Sequence, residues 1–328
     1  MKNETKQNEG TPQNERTLKD YAGITVRGFA MGSADVVPGV SGGTMAFILG
    51  IYEELIDSIK TFTMPDTIKK LLQFDVKWAI AELPWRFLLA LGIGIILAVV
   101  IMARPLEWLL ENQPVMLWSF FFGLIVASII VVRNRVTVWN VQTYIGLVVG
   151  TIFGYLVITL VPVETPNTPL AIFLSGAIAI SAMILPGISG SFLLVILGKY
   201  QQILGAVNDR DILTLIWFIL GAAVGIVTFA QIVSWLFKRY ADQTISFLIG
   251  LMIGSLWKIW PWKETLETYT KPSGEVIPLV QANVAPPMSM ELVFAIVLAL
   301  VGFGLVIGME RWAAQNQLPT KNKTSASN

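Results

Sequence analysis

The segments SADVVPGVSGGT, residues 33–44, and SAMILPGISGSF, residues 181–192, are two copies of one pattern set 148 residues apart. The match runs on through the ILG of residues 48–50 over residues 196–198, and through Tyr52 over Tyr200, so that ten residues coincide at this offset. Each copy places Pro-Gly and Ser-Gly inside an apolar stretch. Proline removes a backbone donor and glycine leaves the helical well easily, so helix breaks at both places. The stretches 21–58 and 168–207 are therefore read as helix–break–helix hairpins, with arms of about 14 to 18 residues that enter a membrane and return.

What lies around the hairpins supports lipid as the solvent. Of 328 residues 54% are hydrophobic and 14% charged, with a mean hydropathy of +0.66; soluble domains carry about a quarter charged residues. Six runs contain no Asp, Glu, Lys or Arg: 87–103, 115–132, 144–163, 212–237, 244–257 and 292–309. A hydrocarbon core about 30 Å thick asks for about 20 helical residues, and helices satisfy their own backbone in lipid. The expected fold is an all-α polytopic membrane protein. Each hairpin is followed by three spanning helices, an odd number, so the second unit enters from the opposite face. That is an inverted-topology repeat, with unit one at 21–163 and unit two at 168–309.

The remaining segments fit that plan. Residues 1–20 and 317–328 read as polar cytoplasmic tails, and 1–20 lacks the apolar run of a signal peptide. Residues 66–83 alternate apolar residues with Lys69, Lys70 and Lys77 at helical spacing, which predicts an interfacial helix. Residues 261–290 are proline-rich and read as an outer loop. The tryptophans flanking the runs read as an aromatic belt. With both termini inside, 17 of the 23 Lys and Arg fall on the inner side, as positive-inside placement requires in a cell membrane. Two full spans in place of each hairpin would give the same parity, so that alternative stays open.

Several chemistries are excluded. Cysteine and histidine are absent, which removes disulfides, thiolate or imidazole metal sites and histidine bases; no cofactor or metal is expected. A net charge of +1 gives no support for nucleic acid. What remains is the pair of hairpin tips. Gly39, Gly42, Gly43, Gly187 and Gly190 permit close backbone approach, and Ser41, Thr44, Ser189 and Ser191 supply hydroxyl donors. The helix starts after each break expose N–H groups and a positive dipole end. Two such starts facing each other would receive a phosphate. Arg27 and Lys199 are candidate phosphate contacts, each with an ordinary alternative as an interfacial anchor. Asp35, three residues before Pro38, would repel an anion unless protonated, and is the candidate proton-coupling group.

At GSADVVPGVSGGTMAFILGIYEELI (32–56) and ILPGISGSFLLVILGKY (184–200) the chain resembles the bacterial polyprenyl-phosphate transporter family, formerly a membrane domain of unknown function. The resemblance covers most of residues 23–309. It implies a flippase for undecaprenyl phosphate, a lipid substrate without bond chemistry, which returns the carrier lipid from the outer to the inner leaflet for cell-wall polymer synthesis. A membrane undecaprenyl-pyrophosphate phosphatase is the enzyme alternative, although the histidine such pockets use is missing here. An ion-coupled transporter of a small soluble anion, or a scaffold, are the others.

Overall fold

The computed structural model describes residues 16–36, 41–62, 64–160, 165–270 and 276–315. The predicted contact residue Gly39 lies outside them, as do residues 1–15 and 317–328 of the predicted tails. The first helix, α1 (Leu18–Val36), begins inside the segment read as a tail. Thr17 and Asp20 explain the start: the Thr17 N–H donates to Asp20 Oδ2 at 2.8 Å and the Asp20 N–H to Thr17 Oγ1 at 3.3 Å, a reciprocal cap.

Two short helices follow, α2 (Gly42–Ile48) and α3 (Tyr52–Thr61), then α4 (Pro65–Leu72) and α5 (Val76–Glu82). The chain continues through α6 (Trp85–Asn112), α7 (Pro114–Arg133) and α8 (Val141–Thr159). The stretch read as the second unit holds α9 (Pro169–Ile184), α10 (Gly190–Ile196) and α11 (Tyr200–Asn208), followed by α12 (Ile212–Arg239), α13 (Ala241–Ser255) and α14 (Met290–Gln315).

The hairpins depart from the two-arm expectation in one respect. Each returning arm is broken a second time, at Gly50 (φ +73°) and Gly198 (φ +65°), left-handed conformations that end a helix and suit glycine. The axis turns by 110° between α10 and α11. A seven-residue helix rises about 10 Å, far short of the bilayer core.

Among the described residues, five helices are long and apolar enough to cross a membrane: α6, α7, α8, α12 and α14. The sixth predicted run, 244–257, forms the 15-residue α13, about 22 Å long and packed along α8. The predicted interfacial helix 66–83 is two helices, because Phe74 takes φ +53° and Asp75 caps a new start by accepting from the Trp78 N–H. The chain is mostly helical as expected, with a ribbon in the segment read as an outer loop. There β1 (Lys263–Thr270) pairs antiparallel with β2 (Val276–Asn283); threonine, valine and tyrosine in these stretches favour the extended chain.

Helix pairing is tight where glycine meets backbone. α1 lies on α6, α9 on α12, α7 on α14 and α8 on α13. A Cβ on Gly28 would come within 2.2 Å of Leu91 O, and one on Gly176 within 2.3 Å of Phe218 O. The same holds for Gly94 against Thr25 O (2.1 Å) and Gly221 against Phe173 O (1.8 Å). In lipid, helices associate by such close packing because hydrocarbon gives no hydrophobic drive between them.

Contacts sort the connections into two faces. On one, Arg16 pairs with Glu54 at 2.6 Å, Lys60 Nζ donates to Ser234 Oγ, and Thr137 donates to Asp242. On the other, Tyr155 packs on Trp257, and Lys258 lies over the Phe192 ring. The largest fully buried side chains, among them Phe47, Tyr52, Ile125, Leu251 and Met252, come from both halves of the chain.

Candidate functional site

The breaks of the two hairpins meet in the interior. Ser41, the N-cap of α2, donates its hydroxyl to Leu185 O at 3.0 Å, with Met183 O at 3.4 Å. The Gly187 N–H donates to Thr44 Oγ1 at 3.0 Å. Gly43 is the point of closest approach: a Cβ there would lie 2.6 Å from Ile184 O. Ser41, Thr44, Gly42, Gly43, Gly187, Ser189 and Gly190 are all buried. Ser41, Gly43 and Thr44 of the first tip and Gly187 of the second are therefore brought together, by side chains of α2 and the backbone at and just after the end of α9.

The two tips are not chemically alike. In the first, the donors read as open to an anion are occupied. The Gly42 N–H donates to Asp35 Oδ1 at 2.7 Å, the Gly43 N–H to Ser41 Oγ at 3.1 Å, and the Thr44 N–H to Ser41 O at 3.0 Å. The Asp35 carboxyl group thus sits on the start of α2, where an anion was expected. A methionine, Met183, stands at the repeat-equivalent position and packs on Gly190. Ser189 makes no cap bond to α10; instead its hydroxyl pairs with that of Ser191 at 2.9 Å. Gly187 has φ +85° and rests against Leu251 and Ser255 of α13.

Two predicted cations bond elsewhere. Lys199 is fully buried, and its ammonium donates to Thr165 O and Asn167 Oδ1, holding the connection before α9 against the α10–α11 junction. Arg27 is buried in α1 and lines a cavity of about 340 Å³ with Val26, Leu49, Leu305 and Met309. One residue that sequence reasoning missed is Arg135, whose guanidinium lies 5.3 Å from the Phe47 ring centre and donates to Ile48 O at 3.4 Å. It places positive charge at the carboxyl end of α2, where the dipole is negative. Its only sequence signal was a basic residue in a short loop.

Long apolar helices with two broken tips apposed among them describe a multi-pass membrane protein. The comparisons agree. A polyprenyl-phosphate transporter of Vibrio cholerae serotype O1 is 41% identical over 301 residues, covering 90% of this chain and 97% of that protein. A polyprenyl-phosphate transporter of Staphylococcus aureus is 31% identical over 258 residues, covering 72% and 85%. No solved structure matches the chain. Residues 31–277 match the VCA0040-like family, described as undecaprenyl phosphate translocase-like. On this match and these identities, the chain belongs to that family.

Proposed function

We propose that the protein is a flippase for undecaprenyl phosphate. It returns the carrier lipid from the outer to the inner leaflet of the bacterial cytoplasmic membrane for reuse in cell-wall polymer synthesis. The observation that carries the proposal is the junction of the two tips, Ser41 to Leu185 and Gly187 to Thr44. It gives the interior a polar spot at the meeting of the two units, and the names of the relatives supply the substrate class.

The inverted repeat supports alternating access. Helix contacts recur between the units: Gly28 on Leu91 corresponds to Gly176 on Phe218, and Gly94 on Thr25 to Gly221 on Phe173. Each hairpin enters from its own face and stops at its short half-helix, so the tips meet from opposite sides. The phosphate head crosses between Ser41–Thr44 and Ser189–Ser191 while its isoprenoid tail stays in lipid. Without such a site a phosphate in hydrocarbon faces a cost of tens of kcal/mol before relaxation. Asp35 holds Gly42 until it is protonated or displaced, and this links transport to protons. No bond is broken in the cycle.

The test is translocation of a fluorescent polyprenyl phosphate in proteoliposomes. Ser41→Ala with Ser189→Ala should reduce the rate at least tenfold while the protein stays folded by melting temperature. Undiminished transport in that variant would remove the tips from the mechanism. Release of inorganic phosphate from undecaprenyl pyrophosphate by the purified protein would instead favour the phosphatase reading.

A further inference from the structure

An apolar cleft of about 700 Å³ opens on the face where α13 ends. Phe122, Ile152, Tyr155, Trp257 and Trp260 line it. Ile152, Tyr155 and Trp257 are exposed, so the cleft is reached from the side. Trp257 and Trp260 of its lining belong to the segment WKIWPWK, residues 257–263. The ribbon of β1 and β2 pins this segment in place. Trp260 Nε1 donates to Val284 O at 2.9 Å, Asn283 Nδ2 to Trp257 O at 2.9 Å, and the Val284 N–H to Trp262 O at 3.0 Å.

Three polar groups of the same segment carry no counter-charge or acceptor among the described residues. Lys258 and Lys263 form no ion pair among the described residues. They adjoin one another, since Lys263 Nζ donates to Lys258 O. Lys258 otherwise rests on the Phe192 ring, 4.9 Å from its centre, and Lys263 on Trp118, at 5.0 Å. Trp262 Nε1 is buried with no acceptor among the described residues, and an unmet buried donor is destabilising unless something fills it. Burial, and then the neighbouring Lys258, hold the Lys263 ammonium down at about 8. An anion with several acceptor oxygens would answer all three groups.

We propose that this cleft is the docking site for a polyisoprenyl monophosphate arriving from the outer leaflet, with the first isoprene units between Tyr155, Trp257 and Trp260 and the phosphate on Lys258, Lys263 and Trp262. The volume falls within the range of about 300–1,000 Å³ that accommodates small-molecule ligands, and the two uncompensated cations match a phosphate. The site also leads toward the tips. Phe192 beneath Lys258 follows Ser191, and Ser255, against which Gly187 rests, precedes Lys258 by three residues. The proposal deepens the transport reading and rests on it.

The test is photolabelling of the wild-type protein in nanodiscs with a benzophenone-bearing farnesyl monophosphate, read by peptide mapping. Labels should fall on α8 near Ile152 and on the segment 257–263. Farnesyl phosphate should compete, whereas inorganic phosphate and dihexanoyl phosphatidate at the same concentration should not. Lys258→Ala or Lys263→Ala should weaken binding about tenfold or more, and Trp262→Phe severalfold, because only its N–H is lost. Lys263→Arg should restore binding. Ile152→Trp, which fills the cleft from an exposed position, should abolish labelling. Labels confined to other helices, or equal competition by the phosphatidate, would overturn the site. Wild-type protein that labels here yet moves no polyprenyl phosphate in proteoliposomes would overturn the transport reading and leave the site standing.

Discussion

Asp35 and Met183 show how much one side chain changes a shared backbone plan. A carboxylate within 2.7 Å of the Gly42 N–H occupies the first tip, and a thioether leaves the second to its serines. Asp35→Asn keeps an oxygen that Gly42 can donate to and removes the charge. The expected outcome is a folded protein whose translocation in proteoliposomes no longer responds to an imposed pH gradient; an unaltered response would separate Asp35 from proton coupling. Lys263 gives a second residue-scale prediction. At about 8 roughly half of it is the neutral, nucleophilic amine at pH 8. A bound phosphate favours the charged form, so adding farnesyl phosphate at pH 8 should lower its acylation severalfold by mass spectrometry, with Lys69 and Lys77 unchanged. Asp35 stands out in the sequence as a lone charge beside a Pro-Gly break. Its partner does not, because every residue but proline carries a backbone N–H and the sequence does not mark which one is used. Lys258 and Lys263 were hidden by their setting, since tryptophans beside lysines at the end of an apolar run read equally well as an interfacial belt.

At the level of helices, the apolar runs gave five of the spans almost at face value, because in lipid an uncharged run of sufficient length has few other options. The short half-helices were harder. The ILG triplets that end α2 and α10 look like continuing helix, and only the left-handed conformations of Gly50 and Gly198 stop it. The β-ribbon was hidden by the proline density around it. The glycine crossings support a paired prediction. Gly28→Ala and Gly176→Ala each drive a methyl toward a carbonyl oxygen, at 2.2 and 2.3 Å, and overpacking of this kind costs about 1–3 kcal/mol. Both should lower the melting temperature in detergent by similar amounts, whereas Gly92→Ala, with open space around it, should not. A large difference between the first two would argue that the helix pairs α1–α6 and α9–α12 are not equivalent.

For the molecule as a whole, the absence of cysteine gives a clean background for mapping. Single cysteines at Lys19 and Met64, flanking the first hairpin, should react with an impermeant maleimide from one side of the membrane. Cysteines at Pro166 and Arg210, flanking the second, should react from the other. A split within either pair would mean that its hairpin crosses fully. The unlike tips carry a consequence for the proposed cycle. One half of the molecule offers an acid at its break and the other a sulfur. On that proposal a change of acidity acts on a single half, and a proton gradient, rather than the shape of the protein, is what would drive cargo one way.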